Sequence, residues 1–112
     1  MKKIAFFAFK GEEMCFVHLL LNAIDLHEKG IVAKIIMEGE AVKLIRPLEE
    51  SNNQLYKKAK DLGLFDCICK ACSAKLGVLE FNETVGIPIK GNLQGHPAMY
   101  DYLNDGYEII TL

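Results

Sequence analysis

The chain has 112 residues and a mass of 12.5 kDa, which leaves room for one domain and little more. Hydrophobic residues make up 51% of it and charged residues 25%, so it has enough apolar surface to fold and is not expected to be disordered. The formal net charge of −2 gives no electrostatic footprint for nonspecific nucleic-acid binding.

The amino-terminal segment does not match a signal sequence. Its apolar run covers only residues 4–9 and is followed by Lys10, Glu12 and Glu13, with no cleavage site of small residues. No stretch reaches the roughly 18 apolar residues of a membrane span. We therefore expect a cytoplasmic protein that contacts no membrane. Reduced cysteines in that compartment point to metal, redox or sulfur chemistry before structural disulfides.

The first half of the chain alternates strand and helix patterns. They predict a strand over 4–9, a helix over 12–29, a strand over 31–37, a short helix over 40–46 ended by Pro47, and a helix over 53–62 with Leu55, Ala59 and Leu62 on one face. In the helix over 12–29 the polar residues form one narrow stripe, consisting of His18, Asn22, Asp25 and Lys29. The remaining apolar face is wider than one sheet usually covers, which predicts an oligomer.

The second half continues the alternation. It predicts a strand over 65–69, a short helix over 71–76 ended by Gly77, a strand around 85–89, a helix from Pro97 at its first position to Asn104, and a strand over 107–112. This order predicts an α/β layer fold with a mainly parallel sheet in a single domain.

Cys69 and Cys72 are the strongest candidates for a reactive site. Cys69 ends a predicted strand at the start of a helix, where ligands of open parallel sheets bind. The free N–H groups and the dipole of the helix favour a thiolate there, and Lys70 adds positive potential. Cys72 lies three residues further on and shares a helix face with Cys69, as in redox Cys-x-x-Cys pairs.

Other interpretations stay open. Free cysteines are often buried as small hydrophobic residues, and this applies above all to Cys67 inside its strand and to Cys15 on its helix. Both are still candidate pocket residues, as is His96 in a Gly-rich loop. Cys67, Cys69 and Cys72 with Cys15 or His96 could also hold zinc, but zinc sites usually need a second Cys-x-x-Cys pair. We therefore expect no bound metal. No P-loop, GxGxxG or GxSxG motif is present, so no nucleotide cofactor and no serine hydrolysis are expected.

The segment from Cys69 to Gly77 resembles the DsrE/DsrF-like family of sulfur-relay proteins. In that family an active cysteine ends a central strand eight residues before a glycine, and some members carry a second cysteine three residues later, matched here by Cys72. The apolar first strand with its long helix, and the ending from Gly106 to Leu112, are also similar. The chain departs from the relay proteins in its third cysteine, since those typically carry one cysteine in this motif. The resemblance implies one DsrE-like domain over 1–112, with a three-layer α/β/α fold and a five-stranded parallel sheet. It also implies homo- or hetero-oligomers built through apolar helix faces, and we expect a homo-oligomer.

The function that follows as an expectation is sulfur transfer between a donor and an acceptor protein. Cys69 would carry the sulfur as a persulfide, and Cys72 would resolve it into a disulfide without a cofactor. The rivals are a noncatalytic ligand- or protein-binding module that uses the same fold, and a small metal-binding protein. Whether the protein is an enzyme stays open at this point.

Overall fold

Five parallel strands form the centre of this computed structural model, which describes residues 2–112. The strands are β1 (Lys3–Ala8), β2 (Val32–Met37), β3 (Phe65–Cys69), β4 (Ile89–Lys90) and β5 (Glu108–Thr111). Their order across the sheet is β4-β3-β2-β1-β5. Parallel neighbours require crossover connections, which the helices supply.

The connections between strands are mostly helical. The helices are α1 (Glu13–Glu28), a 3₁₀ helix (Gly39–Leu44), α2 (Ile45–Glu50), α3 (Gln54–Asp61), α4 (Lys70–Lys75), α5 (Leu79–Asn82) and α6 (Met99–Asn104). Of the helices among residues 2–112, none combines the length and the hydrophobicity that crossing a bilayer requires.

Hydrophobic clusters cover both faces of the sheet. The larger one packs Phe16, Leu19 and Leu20 of α1, with residues of α2 and α3, against inward side chains of the central strands. The smaller one packs Tyr102 of α6 against Phe7 of β1 and its neighbours. The predicted α/β class with a five-stranded parallel sheet is therefore confirmed, and helices on both faces give it three layers.

Two predicted helix boundaries are wrong. Pro47 does not end a helix but lies in the first turn of α2. The N–H groups of a first turn have no partner within the helix, so a proline there breaks no hydrogen bond. The chain reaches it through the 3₁₀ helix that replaces the predicted helix over 40–46. Pro97 precedes α6 by two residues instead of occupying its first position.

Two further details differ from the sequence expectation. The inward face of α3 is formed by Tyr56 and Ala59, with Leu55 partly buried against the same core, whereas Leu62 follows the helix and is exposed. The strand expected over 85–89 is only the two-residue β4, and it is preceded by α5. Val85 and Ile87 are buried in the larger core as loop residues, so their alternating apolar pattern comes from packing and not from strand pairing.

The wide apolar face predicted for α1 is partly exposed. The buried face holds five residues, while Met14 and Leu21 are exposed to 76% and 47% on the opposite side. An oligomer built through this helix stays a prediction. Met14 and Leu21 are the residues that a second chain would cover.

Candidate functional site

The carboxyl ends of β2 and β3 bring four functional side chains together. Glu38 directly follows β2, Cys69 ends β3, Cys72 lies in the first turn of α4, and His96 lies in the loop after β4. One ligand atom from each lies within 4.8 Å of all the others. Neighbouring parallel strands end at the same edge, and open sheets bind their ligands at that edge. We call this set the Cys–His–Glu cluster.

The Nδ1 atom of His96 is the centre of the cluster. It lies 3.2 Å from the Sγ atom of Cys69 and 3.7 Å from that of Cys72. The Oε1 atom of Glu38 is also 3.2 Å away. Glu38 is only 6% exposed, whereas the imidazole side chain is 45% exposed. A buried carboxylate and two thiols therefore surround one nitrogen of a ring that reaches solvent.

The two thiols differ in exposure. Cys69 is fully buried, and its Sγ atom accepts a hydrogen bond from the Cys72 backbone N–H at 3.4 Å. Its S–H can donate to the Gly95 carbonyl at 3.6 Å. Burial raises the pKa of Cys69 to about 12, which outweighs the hydrogen bond that favours its thiolate. Cys72 is only partly buried.

An open apolar groove adjoins the cluster. Its walls are formed mainly by Phe9, Leu93, Pro97, Ala98, Met99 and Tyr100, together with Glu38, Cys72 and His96. Tyr100 is 70% exposed and Leu93 is 55% exposed, so the groove opens to solvent. Cys72 lines this groove and Cys69 does not. A molecule entering from solvent would therefore meet Cys72 first.

Three of the six residues that the sequence predicts for the site are brought together, namely Cys69, Cys72 and His96. Cys67 lies on the opposite face of the sheet, where its Sγ atom is 3.5 Å from the Tyr102 hydroxyl. Burial raises the pKa of Cys67 to about 11. Its location marks it as a core residue.

The other two candidates lie elsewhere. Cys15 lines a small crevice beside Lys10 and Leu112 near the start of α1. Lys70 is the first residue of α4, and its side chain is exposed. Neither belongs to the Cys–His–Glu cluster. Cys15 follows β1, and β2 lies between β1 and β3 in the sheet.

Glu38 is the site residue that the sequence did not reveal. In the sequence it is one charge in a loop, between Met37 and Gly39, and nothing marks it as functional. The available signal was its position directly after a buried strand. Once β2 is placed beside β3, the residues that follow or end these strands must converge.

A tight contact at Gly95 holds the loop of His96 against α4. The Gly95 carbonyl accepts a hydrogen bond from the Ala71 N–H at 2.8 Å. A Cβ atom at Gly95 would lie 2.8 Å from the Cβ of Ala71, and the residue has a φ of +94°. Both the contact and the backbone conformation therefore require glycine next to His96.

We expect Gly95→Ala to displace His96 from the two thiols. The left-handed backbone alone should lower the free energy of unfolding by about 1–2 kcal/mol, and the clash with Ala71 should add to this loss. Gly106→Ala is the matched control, because Gly106 has a φ of +86° but open space around it. Denaturant unfolding of both variants checks the expectation, and equal losses would show that the contact with Ala71 is unimportant.

A polar cavity lies on the opposite face of the sheet, where Asp66, Lys34, Lys90 and Tyr102 line it. A β-bulge between β2 and β3 inserts Asp66 opposite the Ile35–Ile36 step, so that Asp66 and Cys67 both reach the face covered by α6. The carboxylate accepts a hydrogen bond from the Tyr102 hydroxyl. It also pairs with Lys34 and Lys90, each at 3.2 Å.

Asp66 should make the free energy of unfolding depend on pH in the acid range. Burial alone would raise its pKa, but the Tyr102 hydrogen bond and the two lysines outweigh burial and lower it. The stabilisation is fully present above the ordinary carboxyl pKa of about 3.9, and it is lost as the pH falls through the lower folded-state value. Asp66→Asn should therefore cost about 1–3 kcal/mol at pH 7, and this cost should shrink in acid. Urea unfolding at pH 7 and at pH 3 tests this, and a pH-independent cost would contradict it.

Comparisons with known proteins place the chain among relatives of unassigned function. No family model matches it. It is 39% identical over 100 residues to the uncharacterized protein MJ0733 of Methanocaldococcus jannaschii, covering 86% of this chain and 78% of that protein. It is also 39% identical over 57 residues to an uncharacterized protein of Archaeoglobus fulgidus, covering 51% of this chain and 90% of that one.

A solved structure shares the fold. The conserved protein of unknown function BT1422 from Bacteroides thetaiotaomicron matches with a TM-score of 0.71, covering 99% of this chain and 95% of its own. The sequences are 20% identical, so this likeness concerns the fold alone. The match to MJ0733 has a higher sequence identity than the match to BT1422 and spans most of both proteins. This chain therefore belongs to the same family as MJ0733 of Methanocaldococcus jannaschii.

Proposed function

We propose that the protein carries sulfane sulfur on a cysteine, as a DsrE/DsrF-like sulfur-relay protein. The observation that carries this proposal is the arrangement of the two thiols. Cys72 lines an open groove, and Cys69 is buried behind it with both Sγ atoms within 4.8 Å of one another. The Cys72 thiol can thus react with a donor, while the Cys69 thiol lies close enough to attack the persulfide that forms.

This arrangement exchanges the two roles expected from the sequence. The sequence favours Cys69 as the carrier because it ends a strand beside a helix and a lysine. Burial and a raised pKa now argue against Cys69 as the first nucleophile. In the proposal Cys72 accepts the sulfur and Cys69 resolves the persulfide.

The transfer needs no cofactor and balances as two thiol exchanges. The Cys72 thiolate attacks the outer sulfur of a donor persulfide, a new S–S bond forms, and the donor leaves as a thiolate. An acceptor thiolate can then remove the outer sulfur and regenerate the Cys72 thiolate. Alternatively, Cys69 attacks the Sγ atom of Cys72, which forms a Cys69–Cys72 disulfide and expels the outer sulfur as hydrosulfide. In that branch the sulfane sulfur is reduced by two electrons and the thiol pair is oxidised.

His96 and Glu38 provide the proton chemistry for these steps. A neutral imidazole at 3.2–3.7 Å from the two Sγ atoms can accept the proton that a thiol must lose before it attacks. The Glu38 carboxylate, 3.2 Å from the same nitrogen, would stabilise the imidazolium that results. We propose His96 as the base and Glu38 as its positioning residue.

The test is mass spectrometry of the intact, reduced protein after exposure to a persulfide donor in the presence of a metal chelator. We expect the wild-type protein to gain one sulfur atom, and peptide mapping should place this atom on Cys72. Cys72→Ala should not be loaded. Cys69→Ala should be loaded and should keep its persulfide longer, because no thiol remains to resolve it.

Cys67→Ala is the matched control, because its thiol is buried on the other face of the sheet. It should be loaded as the wild type is. Loading that persists in Cys72→Ala, or a failure of both the wild-type protein and Cys69→Ala to gain sulfur, would refute the proposal. The latter result would favour the rival function of a binding module that uses its apolar groove.

A further inference from the structure

The base role proposed for His96 uses one partner at a time, yet a buried carboxylate and two thiols all surround its Nδ1 atom. Nδ1 of His96 has Cys69 Sγ, Cys72 Sγ and Glu38 Oε1 at 3.2, 3.7 and 3.2 Å. An imidazole nitrogen carries either one hydrogen or one lone pair, so it can satisfy at most one ordinary hydrogen bond. Hydrogen bonding therefore does not account for the convergence of all three neighbours.

We propose that the Cys–His–Glu cluster binds a divalent transition-metal ion of the Zn²⁺ type, with one ligand atom from each of its four side chains. Zn²⁺ is held by sulfur, imidazole and carboxylate ligands at about 2.0–2.3 Å, and tetrahedral geometry then separates neighbouring ligand atoms by roughly 3.4–3.8 Å. The three distances from His96 Nδ1 are close to these separations.

The donor set selects the class of metal. Two thiolates and an imidazole favour zinc and its transition-metal neighbours, whereas Mg²⁺ and Ca²⁺ require oxygen ligands. The ion would also place a positive charge beside the buried Glu38 carboxylate. The Cys-x-x-Cys spacing is one of those found in zinc sites, and the two missing ligands come from Glu38 and His96 instead of a second cysteine pair.

Four protein ligands fill a tetrahedral shell, so the bound ion would keep no position for a substrate. The site would therefore protect the two thiols and not catalyse a reaction on the metal. The inference does not depend on sulfur transfer. Where both occur, the metal ion and the sulfane sulfur compete for the Sγ atom of Cys72.

The test is titration of the reduced protein with Co²⁺, which takes tetrahedral sites and is visible by absorption. No sulfur donor is added, so a failure here leaves the sulfur-carrier proposal standing. We expect one Co²⁺ per chain, with thiolate-to-cobalt charge transfer and the intense visible bands of tetrahedral cobalt. Zn²⁺ should displace it stoichiometrically.

The variants locate the site. Cys69→Ser, Cys72→Ser and His96→Ala should each weaken binding by more than the roughly 10–100-fold that loss of a second-shell partner costs, and Glu38→Gln should weaken it as well. Cys15→Ser and Cys67→Ser, which lie outside the cluster, should bind as the wild type does. His96 is half exposed, so His96→Ala should fold and keep the test decisive. Absence of the charge-transfer band, or wild-type affinity in Cys72→Ser and His96→Ala, would overturn the proposal.

Discussion

Alkylation of the native, reduced protein at limiting reagent is expected to label Cys72 first. Cys72 lines the open groove, whereas Cys67 and Cys69 are fully buried. The raised pKa of Cys69 also leaves it with less thiolate at neutral pH than an ordinary cysteine has. Cys15 is partly buried as Cys72 is, but it lies in a small crevice and not in the open groove, so it should react after Cys72.

Peptide mapping of the first labelled product tests this order. Cys72→Ala should lose the fast phase of labelling completely, while Cys67→Ala should keep it. A fast phase on Cys69 in the folded wild type would restore the role that the sequence assigns to it. If no cysteine reacts before unfolding, the thiols are core residues and the sulfur-carrier proposal falls.

Zn²⁺ is expected to produce the largest change in stability. A ligand that binds only the folded state at about 1000 times its Kd raises the free energy of unfolding by roughly 4 kcal/mol. For a domain of this size such a gain corresponds to a Tm higher by roughly 10–20 °C. Both effects should disappear when a chelator is added, and bound Zn²⁺ should also slow the alkylation of Cys72.

Thermal unfolding with Zn²⁺ or with chelator measures this effect. Cys72→Ser should show a much smaller difference between the two conditions than the wild type, and Cys67→Ser should show the full wild-type difference. If Zn²⁺ stabilises Cys72→Ser as strongly as the wild type, the ion binds elsewhere in the protein. That result would contradict the assignment of the site without affecting the labelling prediction.

Local signals were sufficient to predict most of the fold. Short apolar runs became the central strands β1, β2 and β3. Gly30, Gly63, Gly77 and Gly106 follow helix ends and have positive φ. The predicted helix end at Pro47 was wrong because a proline in the first turn of a helix and a proline that follows a helix look alike in sequence. The pattern over 85–89 misled because buried loop residues can alternate as a strand does.

Only the part of the site formed by residues close together in the sequence was predictable. The spacing of Cys69 and Cys72 places them together without knowledge of the fold. Glu38 and His96 depend on the strand order, which sets β2 and β4 on either side of β3. The location of Cys67 depends on the bulge at Asp66, which strict alternation of side chains cannot reveal.

The Cys–His–Glu cluster also bears on the order of events during folding. Glu38 and His96 are 58 residues apart in sequence, and they meet only after β2, β3 and the loop beyond β4 have assembled. Contacts of such long range form late, because closing the intervening loops costs chain entropy before it is compensated. An unfinished chain therefore offers an ion or a sulfur donor only the Cys-x-x-Cys pair. Full affinity of the cluster for a metal ion would then show that the sheet is complete. On a misfolded chain the same two cysteines would be exposed to oxidation.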